Sequence, residues 1–182
     1  MVASVFHHAV KYRQLLTAAF FAVMTIHGVM RKAKIPAKLN DMGEIPDAAF
    51  LGYTEEQLRT WYEALGDQGR EGYLEIAVLD FAGFMPIYVF LLTAQMISSE
   101  MMGPLVYTPL VALFFDLCET LIHCYACYSY PDIPASPILR FTSVATILKF
   151  VFLYTSIAIP FVRGIWKKAT SNPETKEKEK TN

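Results

Sequence analysis

Four ionisable side chains, Asp80, Asp116, Glu119 and Lys149, stand inside long apolar runs of this sequence, and His27 and His123 join them. A charge at the centre of a membrane helix costs at least ~2.5–3.5 kcal/mol, so residues of this kind mark candidate functional sites. Helical spacing gathers them. At 3.6 residues per turn, Asp116, His123 and Cys127 fall within about 40° of one another, with Glu119 one step around. In the last apolar run, Thr142, Thr146, Lys149 and Ser156 form a second polar stripe. Three carboxylates against one lysine leave negative charge to be met by a proton, a cation or a polar headgroup. The expectation is a ligand-binding cavity made by Asp80, Asp116, Glu119, His123, Lys149, Thr146 and His27. Asp116 and Glu119 are the candidate proton donors or acceptors if the cavity is catalytic; Asp80 and His123 would orient them and Lys149 would neutralise charge. A structural reading competes with this one, in which Lys149 pairs with one carboxylate and the other groups tie helices together.

Other chemistries are less well served. Cys124-Tyr125-Ala126-Cys127 is a C-x-x-C, but it closes a helix, where the dipole disfavours a thiolate, and only Cys118 remains as a relay partner. His27 and His123 at matching depth could ligate a haem, yet hydrogen bonds to nearby carboxylates or hydroxyls are the commoner use of such residues. The same groups could bind zinc, but no close two-His spacing among them supports it. No cofactor and no metal are therefore predicted. G-x-S-x-G, H-E-x-x-H and P-loop patterns are absent from the sequence.

The elements that must position these groups are helices in lipid. Of 182 residues, 54% are apolar and 18% charged, and the mean hydropathy is +0.32. A net charge of −1 offers no basic field for nucleic acid, and three cysteines exclude a disulfide scaffold. A bilayer core of ~30 Å needs about 20 apolar residues of helix. Four stretches answer to this: about 15–30, 74–97, 105–128 and 138–165. The polar lead before the first argues for a retained span over a cleaved signal peptide. Pro86, Pro109 and Pro160 fall within spans, where kinks can shape a cavity. An all-α, four-helix up-down bundle over residues 1–168 follows, with a charged, disordered tail at 169–182. In the long first connection, Thr54-Glu55-Glu56-Gln57 has capping-box form. Leu58, Trp61, Tyr62 and Leu65 then share one face before Gly66, which predicts a short amphipathic helix at about 55–65 lying on the bundle mouth or the membrane surface. The polar cavity is expected to open toward that connection.

Even span number puts both termini on one side, and basic residues on the two sides nearly balance. Lys178 and Lys180 near the C-terminus match a dilysine retrieval address, which favours the endoplasmic reticulum with cytosolic termini. A solvated charged tail is the alternative for that segment, and the mitochondrial inner membrane the alternative location. The partners expected are the bilayer, a lipid-like ligand, and a larger membrane complex or a second copy. Nucleic acid is not expected. An accessory subunit of a membrane complex is the competing functional reading, followed by a proton-coupled carrier.

Several residues also carry a resemblance. Tyr53-Thr54, Glu63, Leu65-Gly66, Gly69-Arg70, Tyr73, Asp80, Phe84, Pro86 and Tyr88 form one group. Phe115-Asp116-Leu117-x-Glu119, Tyr130-Pro131 and Ser143-x-x-Thr146-x-x-Lys149 form another. Together, over about residues 53–150, these are similar to a set of small four-span membrane proteins of unassigned activity. Thr120 and Phe150 depart from the Asn and Trp usual in that pattern. The resemblance implies that the polar positions belong together. A looser likeness, at the level of fold, is to the sterol-isomerising and lipid-binding bundles of the endoplasmic reticulum.

Overall fold

In a computed structural model the described residues are 11–36, 39, 46–100 and 103–170, and they are helical apart from short turns. Helix α1 runs Arg13–Lys34, α2 Glu55–Ser98, α3 Thr108–Ser129 and α4 Ser136–Thr170. All four are long and apolar enough to cross a membrane, α3 together with the 3-10 turn Pro104–Tyr107 that precedes it. The four-helix expectation holds, and α4 extends two residues into the stretch expected to be disordered. The remainder of that tail, including Lys178 and Lys180, lies outside the described residues.

Segment 55–65 is helical, but it is not a separate helix. Thr54 caps it through a reciprocal box with Gln57: each side chain binds the other's backbone N–H, at 3.1 and 2.8 Å. Gly66 then takes φ 65° and ψ 179°, a bend that only glycine adopts readily, and helix resumes at once. Charged residues from Asp67 to Glu75 hid this continuity from the hydropathy pattern. Arg70 secures the bend, donating to the carbonyl of Tyr62 at 2.9 Å, pairing with Asp67, and stacking 3.9 Å over the Tyr130 ring. Carbonyls in the last turn before a break lack helical partners, so the guanidinium meets a need the bend creates.

Farther along, α2 widens into a π-helical turn at Asp80–Phe84 before Met85 and Pro86 restore α geometry. Such turns let a helix accommodate a proline and redirect side chains. Pro109 falls in the first turn of α3, not in its interior, whereas Pro160 is interior to α4. Between α3 and α4, Ala112, Ala126, Ala145, Thr142 and Thr146 are buried, and Thr108 and Ser156 share a hydroxyl contact of 2.8 Å. Small residues let these helices approach closely. Helix α1 is peripheral: none of its residues is buried, and Lys34–Glu75 (2.9 Å) and His27–Asp80 (3.3 Å) tie it to α2. Phe114, Leu121, Val151 and Phe161 face outward, as a lipid-facing surface requires.

Candidate functional site

The bundle buries a continuous polar network between two apolar layers. Leu58, Trp61, Tyr62 and Leu65 pack with Ala126, Cys127 and Leu139 on one side of it. Met85, Tyr88 and Val89 pack with Phe20 and Leu153 on the other. Lys149 is the hub. Its Nζ lies 2.6 Å from Glu119 Oε2 and 3.3 Å from Asp116 Oδ1, and it donates to the Asp47 carbonyl at 3.1 Å. Among the described residues, only that ammonium reaches Glu119 Oε2. The i,i+3 spacing of Asp116 and Glu119 on α3 sets both carboxylates before one amine of α4. Tyr88 donates to Asp116 Oδ2 at 3.1 Å, and Thr146 donates to Glu119 Oε1 at 2.5 Å.

His123, one turn beyond Glu119, is fully buried. Its Nδ1 lies 2.5 Å from the Tyr62 hydroxyl and its Nε2 3.2 Å from that of Tyr53. The same Nε2 stands 3.6 Å from Asp47 Oδ1 and 3.7 Å from Glu119 Oε1. Asp47 arrives on the short turn Pro46–Ala48, where the Tyr73 hydroxyl binds its two carboxylate oxygens at 3.2 and 3.1 Å. Enclosure by protein raises the Asp47 carboxyl above the usual carboxylate range, opposed by the nearby His123 and Lys149. Burial likewise raises the Tyr53 phenol, and the Glu119 charge adds to the effect.

A cavity of about 300 Å³ opens beside the hub. Asp116, Lys149, Asp80, His27, Arg31 and Asp47 supply its polar wall; Met24, Phe84, Met85, Phe150 and Leu153 supply its apolar one. All seven residues expected to form the site fall into this region, in two layers. His27, Asp80, Asp116 and Lys149 face the cavity. Glu119, His123 and Thr146 lie behind it, each fully buried. Asp80 joins His27 and not Lys149. The cover also differs from expectation: Asp47 and Ala48 of the Pro46–Ala48 turn line the cavity, while residues 55–65 pack over His123.

Sequence reasoning missed Asp47, Arg31 and the hydroxyls of Tyr62, Tyr73 and Tyr88 as members of the network. Buried position on the apolar face of 55–65 was a signal for Tyr62; Asp47 carried none. Cys118, Cys124 and Cys127 are free thiols. Compared with known proteins, the chain matches no family, no characterised protein and no solved structure.

Proposed function

We propose that the protein binds an amphipathic, lipid-like small molecule in the cavity beside Lys149, within a lipid bilayer. The observation that carries this reading is the mixed wall: the Asp116–Lys149 pair with His27, Arg31, Asp47 and Asp80 beside Met24, Phe84, Met85, Phe150 and Leu153. A volume of about 300 Å³ sits at the small end of ligand pockets, which suits a headgroup with the first part of a chain. Cations on Arg31 and Lys149 and anions on Asp80 and Asp116 would orient a polar or zwitterionic group.

Native mass spectrometry of the full chain in nanodiscs, prepared from the host membrane, tests the reading. Wild-type protein is expected to retain a small-molecule adduct. Asp116→Asn should reduce its occupancy at least 5-fold by removing one carboxylate of the polar wall. Ala48→Phe should do so by plugging the rim, where Ala48 is exposed and the fold tolerates bulk. Wild-type protein without an adduct, or adduct unchanged in both variants, contradicts the reading.

A second reading, an accessory subunit of a larger membrane complex, draws support from α1. A span with no residue buried by its own chain leaves an apolar helix free for another subunit. A particle mass above that of one chain, with a second polypeptide present, would favour it in the same experiment.

A further inference from the structure

At the back of the cavity, three side chains from two separate parts of the chain turn metal-binding atoms toward one point. Asp47 Oδ1 comes from the first connection, Glu119 Oε1 and His123 Nε2 from successive turns of α3. All lie within 4.8 Å of one another. Two ligands bound to a zinc or cobalt ion at ~2.1 Å stand about 3.0–3.4 Å apart. The observed separations from Nε2, 3.6 and 3.7 Å, need only a few tenths of an ångström of closure.

A hydroxyl also holds every one of the three. Tyr62 fixes His123 through Nδ1, leaving Nε2 as the inward nitrogen. Tyr73 holds the Asp47 carboxylate and Thr146 holds Glu119. Outer hydrogen bonds of this kind are what orient ligands in metal centres. Tyr53 places a fourth oxygen 3.2 Å from the same nitrogen. Charge points the same way. Asp47, Asp116 and Glu119 bring three negative charges, and Lys149 returns one. Lys149 engages Glu119 through Oε2, so Oε1 keeps its face toward His123. A dication beside a neutral His123 brings the sum to zero, which a buried cluster in a low-dielectric bundle requires.

We propose that Asp47, Glu119 and His123 bind one divalent transition-metal cation. The proposal does not rest on the cavity ligand: Glu119 and His123 lie behind the cavity wall, and Asp47 alone of the three also lines it.

Cobalt(II) is the probe, with full-length protein in detergent, freed of affinity tag and chelator. The expected result is saturable uptake of one cobalt per chain with a change in visible absorption. Asp47→Asn is the deciding variant, because it keeps the shape and an acceptor for Tyr73 and lies on a turn. Its affinity should fall at least 10-fold, whereas Asp116→Asn should leave uptake saturable, so this test and the cavity test can fail separately. His7 and His8 offer a trivial site near the N-terminus, so uptake must survive His7→Ala/His8→Ala. X-ray absorption on cobalt-loaded wild type should report one imidazole among oxygens, and it decides the matter even if Asp47→Asn fails to fold. No saturable uptake, uptake unaltered by Asp47→Asn, uptake lost with His7 and His8, or a shell without imidazole each overturns the proposal.

Discussion

Lys149 serves Glu119 and Asp116 together, and its removal leaves two buried carboxylates facing each other without a cation. Breaking a buried ion pair from one side typically costs ~3–5 kcal/mol, far more than the pair contributes against an apolar replacement. Lys149→Met is therefore expected to lower unfolding stability by about that amount in denaturant titrations of solubilised protein. That Lys149, Thr146, Asp116, Glu119 and His123 form one group was legible in the sequence, because a helix is rigid enough for spacing to fix which residues share a face. Asp47 was not legible. It sits in an irregular connection, where neither period nor propensity says which side chain folds back onto the bundle. The pairing of Asp80 with His27 was not legible for a similar reason, since His27 lies on a helix whose packing angle no local pattern sets.

The elements were legible in number and less so in their joints. Hydropathy marks where lipid-facing helix exists, and all four spans stand where it placed them. It is silent where charged residues continue a helix outside the apolar window, so α2 begins at Glu55 and not near Leu74. The crossing of α1 and α2 depends on a close approach of the same hidden kind. A methyl group added at Gly72 would stand 2.7 Å from Lys34 Cβ and 3.0 Å from its carbonyl oxygen. Gly72→Ala must therefore push the end of α1 away from α2, and overpacking of this sort costs ~1–3 kcal/mol. The expected signature is lower thermal stability together with a loosened end of α1, read as greater mobility of a spin label placed at the exposed Lys32. Unchanged stability and unchanged label mobility would mean that the two helices do not touch there.

At the scale of the whole molecule, four helices are each long and apolar enough to cross a membrane, and the Pro46–Ala48 turn and segment 55–65 both pack against the buried polar network. The signal at this scale lies in how the apolar residues are arranged: gathered into four long stretches, they match helices long and apolar enough to cross a membrane.

The buried acids of α3 and the amine of α4 act as one electrostatic unit. A double-mutant cycle across Glu119 and Lys149 measures that directly, using Glu119→Gln, Lys149→Met and the pair, each unfolded from the same micelles. Coupling of about 1.5–3 kcal/mol is expected, with the double variant more stable than Lys149→Met alone. Effects that simply add, to within ~0.5 kcal/mol, would mean the two side chains do not meet, and the polar site would have to be abandoned.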